Sequence, residues 1–171
     1  MAEDKIFIDA DSEEIIPGEN NKKTVRVLVF GLGGESYCAD INTVRSVVRI
    51  DSVTRIPNMP EFIIGVMNLR GEIISVLDIR SIFGLPQKKR TSSGRVIVTE
   101  AWGSQVGIIA DDVRQAIDVE ENAIQPPLAT ISGKLASYTK GQIQTKDEII
   151  TMLDLGRVLG SEEIMRIKKG E

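Results

Sequence analysis

The sequence predicts an all-β fold with short helices, in which two small β-barrels pack together. From residue 25 onward, short runs rich in Val and Ile alternate with glycines, which is typical of β-strands and their turns. Long stretches with helical periodicity are missing from the sequence, so helices can only be short connections. An internal repeat divides the strands into two similar sets and favours paired barrels over one large sheet.

The repeat consists of two segments that recur in the same order. Residues 73–82 return as residues 149–158, an offset of 149 − 73 = 76 positions. Residues 26–29 return as residues 95–98, an offset of 95 − 26 = 69, and Val44-Arg45 returns at the same offset. Each half has about 70 residues, which is near the lower limit for independent stability. We therefore expect the two halves to share a core.

The chain divides into a tail and one folded region. Residues 1–24 are rich in acidic side chains and contain Pro17-Gly18, so we expect an acidic, flexible N-terminal tail. Residues 25–165 contain the repeated strands and form the predicted domain. The polar stretch near residues 86–95 lies between the halves and is the predicted connector. The acids of the tail are Glu3, Asp4, Asp9, Asp11, Glu13, Glu14 and Glu19.

Composition argues against several classes of function. The formal net charge is −4 and aromatic residues make up 4% of the chain, so neither a basic surface nor a base-stacking platform for nucleic acid is indicated. The apolar runs fall well short of the roughly 20 residues that a membrane-spanning helix needs. A single cysteine, Cys38, excludes an internal disulfide and favours a reducing, cytoplasmic location.

The chain contains no histidine, the commonest general base and metal ligand at neutral pH. Its absence argues against histidine phosphorelay, Ser-His-Asp catalysis and histidine metal sites. The remaining metal candidate is Asp111-Asp112, an acidic pair that follows the apolar run 106–110. These two residues stand at the repeat positions of Asn42 and Thr43, which favours a polar turn over a magnesium site.

In each half an aspartate precedes a short helical pattern. Asp78 precedes a pattern that Gly84 ends, and Asp154 precedes the corresponding pattern near the end of the chain. An aspartate at this position accepts hydrogen bonds from the first turn, and its charge suits the positive end of the helix dipole. We therefore predict that Asp78 and Asp154 are structural helix caps.

Two side chains are candidates for contact with a partner. Arg70 could form a structural ion pair with Glu72 or Asp78, or it could be a fork-shaped donor at a binding groove. Trp102, in a predicted turn, could anchor a partner or cover the end of a barrel. Spacing in the sequence leaves both choices open.

The segment from Gly65 to Arg80 reads Gly-Val-Met-Asn-Leu-Arg-Gly-Glu-Ile-Ile-Ser-Val-Leu-Asp-Ile-Arg and resembles the signature of the CheW chemotaxis coupling proteins. The proline-flanked lead-in at residues 56–60 fits the same pattern. Residues 37–44 resemble the family's early strand pair, and residues 106–113 resemble its second-half counterpart. The resemblance covers about residues 25–160.

This resemblance implies two SH3-like, five-stranded β-barrels with no catalysis and no cofactor. It implies a non-enzymatic adaptor that binds the cytoplasmic tips of chemoreceptors (methyl-accepting chemotaxis proteins) and the regulatory domain of the CheA-type histidine kinase. Such an adaptor is cytoplasmic and is recruited to membrane-associated receptor arrays without inserting into the membrane. By the same resemblance, Val44, Gly65 and Arg70 lie at or near a receptor-binding groove between the barrels.

The chain departs from the family pattern at Ser46, where the family often has Glu two positions after the residue matched by Val44. Ser46 cannot form an ion pair with Arg70, which leaves Arg70 to another acid or to the receptor. Two alternative functions remain. One is a standalone regulatory domain related to CheA, although the chain begins with methionine and has no phosphotransfer or ATP-binding module. The other is a small metal-dependent enzyme that uses Asp111 and Asp112.

Overall fold

The computed structural model describes residues 23–50, 53–86, 93–129, 131, 133–162, 164 and 165. Nearly all of the predicted tail and the middle of the predicted connector lie outside these residues. The strands of the described chain are β1 (Thr24–Leu32), β2 (Glu35–Asp40), β3 (Val44–Arg49), β4 (Ile63–Leu69), β5 (Glu72–Leu77), β6 (Arg95–Ala101), β7 (Ser104–Ala110), β8 (Asp112–Glu120), β9 (Ile124–Gln125), β10 (Thr139–Gln144) and β11 (Ile149–Leu153).

Helices are short, as the sequence predicted. They are α1 (Arg80–Phe83), α2 (Gly133–Ser137) and α3 (Leu155–Leu159), with 3-10 turns at Ile41–Thr43 and Glu121–Ala123. No helix in the part of the chain that the structure describes is long and apolar enough to cross a membrane.

The strands form two sheets, and the predicted mostly-β fold with two SH3-like subdomains is confirmed. The first sheet, which we call the first barrel, has the order β8-β1-β2-β11-β10-β9. The second sheet, the second barrel, has the order β3-β6-β7-β5-β4. The second has the predicted five strands, whereas the first gains a sixth through the two-residue strand β9.

The two barrels exchange strands between the halves of the chain. Strand β3 follows β2 of the first barrel but pairs with β6 of the second. In return, β8 follows β7 of the second barrel but pairs with β1 of the first. Each barrel therefore contains strands from both sequence halves, and neither half alone can complete a barrel.

The internal repeat is preserved at the level of individual strand partners. In the first barrel, β11 runs parallel to β2 and pairs Met152 with Cys38. In the second, β5 runs parallel to β7 and pairs Val76 with Gly107. These pairs are related by the same offsets of 76 and 69 positions. The backbone has therefore kept one register in both barrels.

A glycine permits the chain to close each barrel. A Cβ on Gly65 would lie closer to the carbonyl oxygen of Thr54 than van der Waals contact allows, because the two backbones exchange hydrogen bonds beside it. Its counterpart Gly141 meets the carbonyl oxygen of Gln125 in the same way, at 2.6 Å from an added Cβ. Only glycine fits so close an approach of two strands.

Three hydrophobic clusters hold the fold together. One lies within each barrel, around Cys38 and Ile150 in the first and around Val76 and Val96 in the second. The largest cluster joins residues of both barrels, with Phe30 among them, and confirms the expected shared core. Burial of this apolar surface provides the main force that holds the barrels against each other.

The two predicted caps differ in the structure. Asp154 is the N-cap of α3, and its carboxylate accepts a hydrogen bond from the backbone N–H of Arg157 at 3.1 Å. The predicted cap at Asp78 needs correction, because Ile79 occupies the N-cap position of α1 without a side-chain cap bond. The Asp78 carboxylate instead binds the backbone N–H and the guanidinium of Arg80.

Candidate partner-binding site

The two barrels meet along two seams that the internal repeat makes equivalent. At each seam, the helix that follows one barrel approaches a crossover segment and a hairpin turn. We define the closed seam as the place where Arg80 of α1 meets Asp111 and the β1–β2 turn at Gly33. The open seam is its counterpart, where Gly156 of α3 meets Asn42 and the β6–β7 turn at Trp102. The offset of 156 − 80 = 76 relates the helices, and 111 − 42 = 69 and 102 − 33 = 69 relate the other elements.

Arg80 fills the closed seam. Its Nε and Nη2 donate to the two oxygens of Asp78 at 2.8 and 2.6 Å, and its Nη1 donates to Oδ1 of Asp111 at 2.9 Å. The other oxygen of Asp111 accepts a hydrogen bond from the backbone N–H of Gly33 at 2.8 Å. The hydrogen bond to Asp78 raises the pKa of Arg80 above its ordinary value. The arginine therefore ties an element of each barrel to the crossover between them.

Burial makes this ion cluster a structural element. Arg80 is 4% exposed and Asp78 is 2% exposed. A buried charge is tolerated only when partners compensate it, and the bidentate geometry of Arg80 on Asp78 is the strongest form of such compensation. The charges of Arg80, Asp78 and Asp111 at the closed seam are therefore engaged with one another.

The open seam is a groove of about 490 Å³. Gly156 has no side chain to occupy the space that Arg80 fills at the closed seam, and Asn42 carries no charge where Asp111 stands. Trp102 replaces Gly33 and adds an aromatic wall. The groove is lined by Asn42, Thr43, Arg45, Thr99, Glu100, Ala101, Trp102, Leu155, Gly156, Leu159, Gly160 and Met165.

The groove combines an apolar base with a polar rim. Leu155 and Leu159 are buried beneath it, and half-buried Trp102 packs on the shared core. On the rim, Arg45 and Glu100 form an ion pair with side chains 60% and 51% exposed. The Trp102 ring packs on the shared core, as the covering interpretation predicted, and it also lines the groove; a contact with a partner stays a prediction. Such a surface suits an apolar side chain presented by a polar helix.

Arg70 lies in a second depression that adjoins the groove through Arg45. Arg70 and Gly71 form the two-residue turn between β4 and β5, with φ angles of 53° and 86°. Positive φ at both positions is the requirement of a type I′ hairpin turn. Asn68 supports the turn, because its side-chain oxygen accepts a hydrogen bond from the Gly71 N–H at 2.9 Å. The depression is lined by Arg45, Ser46, Leu69, Arg70, Gly71, Glu72 and Gln105.

Arg70 is exposed, and no ion pair joins it to another side chain within the described part of the chain. The structural interpretation of Arg70 is therefore wrong: Asp78 is engaged by Arg80 inside the fold, and Glu72 shares the depression without pairing with Arg70. Ser46 lines the same depression and carries no charge that could pair with Arg70. The Arg70 guanidinium remains available to a partner.

The structure brings the three predicted groove residues together only in part. Val44 begins β3 beside Arg45, a residue of the groove lining, and itself packs against the shared core. Arg70 lines the adjoining depression. Gly65 stands at the closure of the second barrel, where its counterpart Gly141 has the same packing role. Its position in the barrel wall explains Gly65 without any contact to a partner.

The acidic pair has structural roles. Both carboxylate oxygens of Asp111 accept hydrogen bonds from protein donors, and Asp112 lies 3.6 Å from Arg114. Among the described residues, no group of three or more acids or cysteines is arranged to hold a metal ion. The arrangement supports the polar-turn interpretation and gives no support to the metal-dependent enzyme.

Sequence reasoning missed the residues that distinguish the seams. Arg80 and Gly156 both lie inside the repeated segment, in Leu77-Asp78-Ile79-Arg80 and Leu153-Asp154-Leu155-Gly156. Aligning the repeats shows an arginine exchanged for a glycine at one position. That exchange was the available signal, but its meaning depends on the strand exchange that places both residues between barrels.

Two packed barrels with a seam groove and an exposed arginine beside it define a protein-interaction module. The family model described as the CheW-like domain matches residues 26–163. The chain belongs to the CheW family, and it is accordingly a chemotaxis scaffold or adaptor.

Individual relatives agree with this assignment. The chain is 33% identical over 137 residues to the chemotaxis protein CheW of Klebsiella aerogenes, covering 80% of this chain and 82% of the relative. It is 28% identical over 156 residues to the chemotaxis protein CheW of Treponema pallidum, covering 89% and 92%. The crystal structure of the scaffolding protein TtCheW from Thermoanaerobacter tengcongensis superposes with a TM-score of 0.73 at 33% identity, covering 87% of this chain and 96% of that one.

Proposed function

We propose that this protein couples the cytoplasmic tips of chemoreceptors to a CheA-type histidine kinase and that it does so by binding, without catalysis or a cofactor. The observation that carries the proposal is the open seam together with the Arg70 depression. They form adjoining surfaces that share Arg45, one apolar and one polar. A helical hairpin presents such a mixed surface, with apolar side chains at helical spacing and polar groups at their sides.

The two parts of the site have different tasks in this proposal. The seam groove takes an apolar side chain of the helix against Leu159 and Trp102, which gives affinity through burial. Arg70 offers its guanidinium to a carboxylate or carbonyl of the partner, which fixes the orientation of the helix. The kinase regulatory domain meets other surfaces, since edge strands and barrel ends remain outside the groove.

Location follows from the partners in the same proposal. The adaptor is cytoplasmic and reaches the membrane only through receptor arrays, not by insertion. Clustered receptors present many tips at once, so that individually weak contacts are reinforced by avidity.

The test measures the autophosphorylation rate of a CheA-type kinase with clustered receptor tips, with and without this protein. The proposal predicts a large change that requires all three components. An unchanged kinase rate, with binding of the protein to the kinase intact, would contradict coupling.

Arg70→Ala provides the site-specific arm of this test. We expect about a tenfold loss of receptor-tip binding, corresponding to the loss of one charge-assisted hydrogen-bond pair. Because Arg70 is exposed and makes no internal ion pair within the described residues, the thermal transition should stay within a few degrees of the parent. If the variant loses its thermal transition before it loses binding, Arg70 is structural.

A further inference from the structure

We propose that the residue pair Arg80 and Gly156 fixes the number of helix-binding seams at one, and that Gly156 is a specificity-determining position of the open seam. The inference rests on the proposed function for the nature of the partner, a helical hairpin. Beyond the proposed function, we infer which of the two equivalent seams binds the hairpin and which side chains exclude the hairpin from the other seam.

The duplicated fold supplies two seams with the same backbone. Partners in the parallel strand pairs, β5 with β7 and β11 with β2, are related by constant offsets. The exchanged strands also agree, because Val44 pairs with Thr99 and the counterpart Val113 pairs with Phe30. A bulge interrupts the ladder just beyond each of these pairs. Backbone geometry therefore gives neither seam an advantage as a binding site.

Side chains at three equivalent positions separate the seams. The closed seam has Arg80, Asp111 and Gly33, which bind one another in a continuous chain of hydrogen bonds. The open seam has Gly156, Asn42 and Trp102 at these positions, and all three line the groove. The first set fills its own seam, whereas the second leaves space and adds an aromatic surface.

Displacing the Arg80 side chain to admit a partner would be energetically costly. Its guanidinium makes three hydrogen bonds to two carboxylates, and removing it from Asp78 would leave a buried carboxylate without its counter-charge. A helix approaching the closed seam would have to displace this cluster and replace every bond. The closed seam is thus excluded from binding by its own ion cluster.

Gly156 keeps the open seam accessible. A Cβ added at this position would meet Oδ1 of Asp154 at 3.3 Å, a tight contact that a shift of this side chain by a few tenths of an ångström would relieve. A longer side chain would extend from α3 into the groove that Gly156 lines. Residue 156 therefore sets how large a partner side chain the groove admits, and glycine admits the largest.

The test transplants the closed seam onto the open one. The double variant Gly156→Arg with Asn42→Asp recreates the arginine and the crossover carboxylate, and Asp154 already stands where Asp78 stands. Arg157→Ala on the same helix is the matched control, because Arg157 is exposed and does not line the groove. Titration calorimetry with a receptor-tip helical hairpin gives stoichiometry and affinity. Binding to the isolated kinase regulatory domain and a thermal melt report on the remainder of the protein.

The parent is expected to bind one hairpin per chain. The double variant should lose at least tenfold in hairpin affinity while it keeps its kinase-domain binding and its melt, and Arg157→Ala should bind like the parent. If the double variant does not fold, the single variant Gly156→Met tests the same steric point. Hairpin affinity within twofold of the parent in the folded variant, or two hairpins per parent chain, would overturn the inference. A parent that binds no hairpin at all would instead contradict the proposed function.

Discussion

The closed seam and the open seam are formed by equivalent helices, crossovers and hairpin turns, and they differ in a handful of side chains. At one, a buried guanidinium joins two carboxylates and a backbone N–H across the barrels. At the other, a glycine and an uncharged asparagine leave a groove beside a tryptophan. The two seams therefore share one backbone arrangement, but one is closed by an ion cluster and the other is an open groove.

A second pair of equivalent positions diverges in the same way. Arg114 in the first barrel pairs with Glu148 at 3.1 Å, and its Nη1 donates a hydrogen bond to the Ser36 hydroxyl oxygen at 2.9 Å, so its corner is closed. Its counterpart Arg45 pairs with Glu100 instead, an acid whose own counterpart is Gly31. The corner beside Arg70 is therefore left open. Both divergences place the accessible surface on the same side of the second barrel, because Arg45 lines both depressions.

The largest stability effect should come from removing the Arg80 ion cluster at the closed seam. Arg80→Met removes the guanidinium and leaves Asp78 buried without its partner, which should lower the unfolding free energy by about 3–5 kcal/mol. Its counterpart variant, Gly156→Ala, should change the unfolding free energy by less than about 1 kcal/mol, since only helix propensity and one contact are altered. Denaturant unfolding of both variants measures the contrast. Equal losses would show that the two seams are energetically alike.

The glycines that close the barrels should give the next largest effect. Gly65→Ala and Gly141→Ala each force a Cβ against a backbone carbonyl, and we expect losses of about 1–3 kcal/mol. Gly65 should be the more sensitive, because its φ of 155° adds backbone strain. Gly71→Ala is the control, because its added Cβ meets nothing within 4 Å and the substitution costs only the strain of an alanine at a φ of 86°. A smaller loss at Gly65 than at Gly71 would show that barrel closure can relax.

Alkaline pH should weaken the first barrel through its strand β2. Burial raises the pKa of the Cys38 thiol from 9.0 to about 12. Burial, with a smaller contribution from Glu35, raises the pKa of Tyr37 from 10.0 to about 12. Their counterparts in the second barrel, Gly107 and Val106, do not titrate.

The direction of this change in stability with pH follows from the number of protons that the folded and unfolded states bind. The folded state keeps the thiol proton where the unfolded chain loses it, so the thiol's contribution is complete below pH 9 and is lost as the pH rises toward 12. At pH 10 the loss should be about 1 kcal/mol. Unfolding of the parent and of Cys38→Ala across pH 8–11 measures it as a difference in slope. Parallel pH profiles for the two proteins would exclude this contribution.

The helix caps should give the smallest effect of the series. Asp154→Ala removes the side-chain bond to the Arg157 N–H and should cost about 1 kcal/mol. Asp154→Asn keeps an acceptor at the cap and should recover most of that loss, which separates the cap from the partly exposed ion pair with Arg157. Thermal melts suffice for the comparison. An unchanged melting temperature in Asp154→Ala would remove the capping argument.

The sequence predicted the two-barrel fold because repeated hydrophobic segments reflect repeated strand pairing. It could not reveal the exchange of β3 and β8, since the offset of 69 is the same whichever barrel receives them. The short helix α2 was also missed, because its five residues are too few to show periodicity.

Sequence features identified candidate site residues where local chemistry marks them and missed residues whose role depends on distant contacts. Arg70 was recognised as a candidate because its turn and flanking glycine are local features. Arg80 was overlooked because an arginine in a first helical turn is ordinarily exposed, and only tertiary structure brings Asp111 to it. For Gly65, the resemblance indicated a groove, whereas the backbone of Thr54 supplies a packing reason that no local pattern contains.

The most direct test of the central claim is an NMR titration of the isotope-labelled protein with a receptor-tip helical hairpin. Signals of the open seam should move, with the Trp102 indole and the amides of Ala101 and Gly156 among the largest changes. Signals of Gly33 and Asp111 at the closed seam should stay in place. Equal changes at both seams, or changes at Gly33 and Asp111 alone, would contradict the claim that the closed seam is blocked by its ion cluster and that the open seam binds the hairpin.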